Sequence, residues 1–128
     1  MSIRTKHFNT FTDTKLLCTC GHAECDHRSV NQETLNRAER VRVTVDRPIL
    51  VTSGGRCPYH PDEVHRTTPA DHQKCAAMDV KVTGGLERGE IVAAGLMAGF
   101  NAIGVAKTFV HLGYREELKH SEVVMWTY

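Results

Sequence analysis

The sequence predicts an α+β domain, a mainly antiparallel sheet with a few helices packed against it. Short apolar, β-branched runs recur along the chain, and the helical patterns fall among them without the regular βαβ alternation of a parallel sheet. Size agrees: 128 residues suffice for one core without disulfide staples, so residues 1–128 read as a single domain.

The elements follow in order. After a cysteine-rich turn, "SVNQETLNRAERVRV" reads as a helix. Ser29 and Gln32 make an S-x-x-Q capping box, and Leu35, Ala38 and Val41 fall three apart on one face, predicted to be core. In "VRVTVDRPILVTS" the β-branched residues are broken by Pro48, which predicts a strand from Ile49 into Ser53. That strand delivers Arg56 to a turn made by Gly54 and Gly55. From Arg56 to His72, Pro58, Pro61 and Pro69 leave an irregular, partly helical excursion. "AAMDVKV" reads as a strand. "GLERGEIVAAGLMAGF" reads as a helix, with Leu86, Ile91, Ala94 and Ala98 at roughly helical spacing and Gly99 near its end. "AIGV", "TFVHLGY" and "EVVMWTY" read as short strands between polar turns.

Composition excludes several classes. A hydrophobic share of 41% and a charged share of 24% are those of an ordinary globular protein. No apolar run approaches the ~18 residues a membrane span needs. A net charge of +1 with scattered Lys and Arg provides no basic stripe, so nucleic acid is set aside as a partner. The start, "MSIRTKHFNTFTDTKLL", has no continuous apolar core and no small-residue cleavage site, so the expectation is synthesis in the cytoplasm without a secretory signal. A monomer is expected.

Five cysteines, an odd number, argue against a complete disulfide framework. Cys18, Cys20 and Cys25 crowd into "CTCGHAECDH" beside His22 and His27. A turn at Gly21 with partly buried thiols is preferred there to a small structural zinc knuckle, because Cys-x-Cys is not the usual Cys-x2-Cys spacing. Cys57 and Cys75 are expected to serve packing.

Eight histidines in so short a chain raise the prior for a metal site. His72 and Asp79 lie seven apart, and His111 sits in a strand-like stretch near the carboxyl end. Two His and one Asp suit a zinc ion that keeps a position open for water. The His-x6-Asp spacing alone is weak, since roughly 0.4 such pairs are expected by chance in this composition. Asp79 adds weight, because it lies inside an apolar run where an unpaired carboxylate is costly to bury.

Ordered motifs add more. "SGGRCP" holds Arg56, "ADHQKCAAMD" holds His72 and Asp79 sixteen residues and more beyond it, and "GFNAIGVAKTFVH" ends at His111. In this order the chain resembles the zinc D-alanyl-D-alanine carboxypeptidase family, peptidoglycan peptidases of the hedgehog/DD-peptidase fold, and in particular its short phage and bacterial members. The similarity covers about residues 11–128. It implies Zn2+ held by His72, Asp79 and His111, with Arg56 binding a carbonyl or carboxylate of a peptidoglycan stem peptide. The implied reaction is hydrolysis of an amide bond, as a D-Ala-D-Ala carboxypeptidase or an endolysin-like endopeptidase. The target would lie in the cell wall for a phage lysis or virion protein.

The departures from the family pattern bear on catalysis. Ala70 stands where members usually have Ser two residues before the first ligand, and Gly113 where many have Asp two residues after the last. Phe109 and Thr108 stand where several relatives carry a general base. His65 and Asp71 are the first substitutes for that role, ahead of Glu63 and Glu116. The alternative reading, from a different class, is a zinc-binding, catalytically weak or inactive module on the same fold. His7, His60 and His120 are expected to be ordinary surface groups.

Overall fold

The structure is a computed structural model and describes residues 3–128. Helix α1 (Gln32–Val45) starts where Asn31 is extended and its side chain accepts a hydrogen bond from the Thr34 N–H at 2.8 Å. The cap is therefore Asn31 and not the Ser29–Gln32 box, because Ser29 is held two residues upstream in a bridge with Leu17. The helix stops at Asp46, which takes a left-handed φ of 54°. Its predicted face holds: Leu35, Ala38 and Val41 are fully buried.

Helix α2 (Gly84–Met97) buries Ile91, Ala94 and Gly95, and Gly99 follows it at φ 102°. Leu86, predicted on the core face, is 92% exposed. It lies in the first turn, whereas the buried residues of the helix begin at Ile91.

Five strands follow the predicted runs: β1 (Val51–Ser53), β2 (Ala77–Lys81), β3 (Ala102–Val105), β4 (Phe109–Gly113) and β5 (Val124–Thr127). Strand β1 begins two residues later than expected. The sheet order is β1-β2-β4-β3-β5, antiparallel throughout except for the parallel β3–β5 pair at one edge. The α+β class with a mainly antiparallel sheet is as the sequence predicts.

One face of the sheet packs on the helices. Met78, Val80, Ile103, Val110 and Leu112 join Leu35, Ala38, Val41, Ile91 and Ala94 in a buried hydrophobic cluster. Each large aliphatic side chain buried there contributes about 1.5–3 kcal/mol. The other face carries polar chemistry. Residues paired across strands share a face, and one row runs Ser53, Asp79, His111, Gly104, Trp126. Gly104 is the gap in that row: a Cβ there would lie 2.7 Å from the Trp126 indole nitrogen and 2.8 Å from the Tyr128 hydroxyl. Its absence lets both aromatics lie across the sheet.

Candidate metal centre

The β2–β4 register sets Asp79 directly opposite His111. His72 comes from the turn that enters β2. The three residues are 5–6% exposed, and they offer ligand atoms that all lie within 4.8 Å of one another.

The proton positions on the two imidazoles follow from their partners. His72 Nδ1 lies 2.7 Å from the Gly54 carbonyl oxygen, which can only accept, so Nδ1 donates and Nε2 is left with its lone pair. That Nε2 is 3.3 Å from Asp79 Oδ1. His111 Nε2 donates to Asp71 Oδ2 at 2.9 Å, which turns Nδ1 toward the same Asp79 oxygen, also at 3.3 Å. Asp79 Oδ2 accepts from Arg56 Nη2 at 3.3 Å. Asp79 Oδ1 is buried with no hydrogen-bond partner among the described residues. A buried carboxylate oxygen is costly without a partner, and here it faces two imidazole nitrogens that can also present lone pairs. A divalent cation satisfies all three, so this donor set fits zinc and leaves a further coordination position open.

Charge balance is tight without a metal. Burial pushes the Asp79 carboxyl up, but the His111 and His72 imidazoles beside it outweigh this and hold it well below the usual carboxylate range. Asp71 behaves alike: burial raises it, and His111 and Arg115 lower it further. Burial pushes His111 down, and Asp71 and Asp79 on either side raise it overall. The two carboxylates therefore contribute stability that is present above their unfolded pKa of ~3.9 and lost as pH falls through their depressed folded values. His111 contributes stability that is present below its unfolded ~6.5 and lost as pH rises through its raised folded value. Chelator-treated protein is expected to melt highest between about pH 4 and 6.5, with the increment from zinc growing as pH rises through the raised His111 value and that imidazole loses its proton. Thermal melts across pH with and without chelator check this, and a zinc increment that shrinks with rising pH contradicts it.

Arg56 is a structural hub of the site. Its Nε donates to Ser53 Oγ at 3.0 Å, and Nη1 reaches Glu63 Oε2 at 3.2 Å. Glu63 has a side chain only 1% exposed and also meets Arg66 and Gln73, each at 3.3 Å. Beside the triad opens a cleft of about 510 Å³ walled by Arg56, His65, Phe109, Arg115, Trp126 and Tyr128, among others.

The residues named from the sequence fall into two groups. Arg56, His65, Asp71, His72, Asp79 and His111 all line this cleft. Asp71, however, is engaged on the side of His111 away from Asp79. Its Oδ1 accepts from Arg115 Nε at 2.9 Å, and its Oδ2 serves both His111 and Arg115 Nη2. Thr108 sits exposed at a bend before β4 and is not among the lining residues, whereas Phe109 is. Arg115, Trp126 and Tyr128 were not foreseen. Trp126 had a signal in retrospect, as the one large aromatic in a half-exposed edge strand.

Gly113 explains the Asp71 arrangement. A Cβ at this position would lie 2.8 Å from His111 Nε2 and 2.9 Å from Asp71 Oδ2, inside the hydrogen bond between them. Gly113→Ala is expected to pry the pair apart and weaken zinc binding by about 10- to 100-fold, the usual cost of losing an outer partner of a ligand. Chelator competition measures the change.

An α+β fold with a buried His–Asp–His group on the floor of an open cleft has the kind of centre that metal-dependent hydrolases use. The Peptidase M15 family model matches residues 9–113, and the chain belongs to that family of zinc peptidases. No curated protein and no solved structure matches the chain with significance.

Proposed function

We propose that the chain is a zinc peptidase that hydrolyses amide bonds of peptidoglycan stem peptides, with the metal held by His72, Asp79 and His111. The observation that carries this is Asp79 Oδ1, buried, without a hydrogen-bond partner among the described residues, and facing His72 Nε2 and His111 Nδ1. Zinc bound there would polarise the scissile carbonyl and lower the pKa of a water toward ~7.

The protein's own side chains do the rest. Gly54 and Asp71 orient the two imidazoles through the nitrogens that face away from Asp79. Arg56 holds Asp79 by Oδ2 and presents its guanidinium to the cleft, where it stabilises negative charge developing on a carbonyl oxygen. Asp71, with both oxygens already donated to, is a positioning residue. Proton transfer falls to His65, which lines the cleft and is exposed to solvent. Trp126, Tyr128 and Phe109 form an aromatic wall suited to the apolar methyl groups of alanine residues. Arg66, with a side chain 43% exposed at the rim, suits a stem-peptide carboxylate.

A second reading, a zinc-binding module without turnover, draws on one observation: Glu63 and Asp71, the buried cleft carboxylates outside the triad, are both tied to arginines. Incubation of zinc-loaded protein with cell-wall fragments, with products identified by mass, separates the two. Free D-alanine would mark a carboxypeptidase and shortened stems an endopeptidase. Intact fragments with zinc bound would leave the module. His65→Ala is expected to keep its zinc and lose about 10²–10⁴-fold in rate, the usual worth of general acid–base help.

A further inference from the structure

We propose that Cys18, Cys20, Cys25 and Cys57 form a second metal site, a closed tetrathiolate that takes Zn2+ and pins the Arg56 turn from the side opposite the candidate centre. The four thiols are free, and their Sγ atoms all lie within 4.8 Å of one another. Cys20 and Cys57 stand 3.6 Å apart. A disulfide would need ~2.05 Å. Four sulfurs at ~2.3 Å from a tetrahedral zinc are ~3.8 Å from each other, close to the Cys20–Cys57 separation and inside the limit that holds for all four.

The local backbone is shaped for this cluster. Residues 18–28 form a loop closed at its base, where Cys18 N–H donates to the Arg28 carbonyl at 2.9 Å and Leu17 bridges Ser29. Gly21 and His27 take positive φ values of 82° and 54°, which fold the three loop cysteines inward. The His27 N–H points at Cys25 Sγ at 3.4 Å, a backbone donor to sulfur of the kind that supports bound thiolates. His22 is not a competitor, since its ring stacks on Tyr59 with centroids 4.4 Å apart. Cys57, the fourth ligand, comes from 37 residues away in sequence. It is brought in because Gly54 and Gly55 lack side chains: a Cβ at Gly54 would lie 2.6 Å from the Leu16 carbonyl oxygen, and one at Gly55 2.3 Å from that of Arg28. The turn therefore packs backbone to backbone against the loop. Cys18 and Cys57 are buried and Cys20 and Cys25 half-buried, and four protein ligands fill the tetrahedral shell of zinc, as in structural sites. Binding displaces the thiol protons to solvent.

The placement has a consequence for the cleft. The same turn, Gly54 to Cys57, supplies Cys57 to the cluster, the Arg56 guanidinium to the cleft, and the Gly54 carbonyl that fixes His72.

Metal content and cobalt spectroscopy of the full chain, purified under reducing conditions, test this. Wild-type protein is expected to carry two zinc ions per chain, and His72→Ala and Cys20→Ser one each. Co2+-loaded wild type and His72→Ala should both show strong thiolate-to-cobalt charge-transfer absorption, absent from Cys20→Ser. Should Cys20→Ser not fold, the unmutated protein still decides: in its native zinc-loaded form only Cys75 should react with a thiol reagent, and all five cysteines after denaturation in chelator. Zinc content that Cys20→Ser leaves unchanged, no charge-transfer band, or a Cys20–Cys57 disulfide under reducing conditions would overturn the proposal.

Discussion

His72→Ala should cost the protein the metal of its His–Asp–His centre, hydrolysis of cell-wall fragments, and a large part of its stability in zinc, all in one substitution. The side chain supplies Nε2 to the cluster, and Asp79 and His111 alone leave too few ligands to hold zinc against water. A ligand that binds only the native state stabilises it by about 4.1 kcal/mol when present at 1,000 times its Kd, and this increment disappears with the site. The metal-free comparison isolates a smaller effect. In chelator the variant loses the hydrogen bond to Gly54, about 1 kcal/mol, and the imidazole's contacts with Asp79 and His111. Urea unfolding with zinc and with chelator should therefore show a gap between wild type and variant that is several-fold wider in zinc. Equal gaps would mean that His72 contributes to the fold but not to metal binding.

Arg56→Ala is expected to destabilise the protein by about 3 kcal/mol even without metal, because it leaves the buried Glu63 carboxylate short of its cation. Arg66 and Gln73 still reach Glu63, which keeps the loss at the low end for a broken buried pair. The same change frees Asp79 Oδ2, so hydrolysis should fall by more than the loss of folded protein explains, on the order of 10²–10³-fold if the guanidinium stabilises oxyanion charge. Arg56→Lys should rescue little, since one ammonium cannot serve Ser53, Glu63 and Asp79 in their three directions. Adding Glu63→Gln to Arg56→Ala should recover much of the stability and none of the rate. Recovery of both would make Arg56 a structural residue only.

What could be read from the sequence was what periodicity and embedding encode. β2 and β4 are apolar runs that each hold one buried polar residue, Asp79 and His111, and a charge or imidazole placed so had to find a partner. The α1 face was legible because Leu35, Ala38 and Val41 repeat at helical spacing. Three things were not. The α1 cap fell to Asn31 because the Leu17–Ser29 bridge, a long-range pairing, held Ser29 in extended chain. The role of Asp71 depended on Gly113, which looks like a plain loss of a carboxylate until the space beside His111 Nε2 is measured. Cys57 read as packing because its three partners lie more than thirty residues away, joined to it only by the close approach of Gly54 and Gly55 to the backbone of Leu16 and Arg28. In each case a tertiary contact overrode the local pattern.

The central claim is that His72 Nε2, Asp79 Oδ1 and His111 Nδ1 hold one zinc ion. Diffraction from crystals of the zinc-loaded protein, collected on either side of the zinc absorption edge, tests it most directly. The account predicts an anomalous peak at the meeting point of those three atoms, one that disappears in His72→Ala crystals grown in the same zinc. A well-ordered triad without a peak, in protein that binds zinc elsewhere, would contradict it.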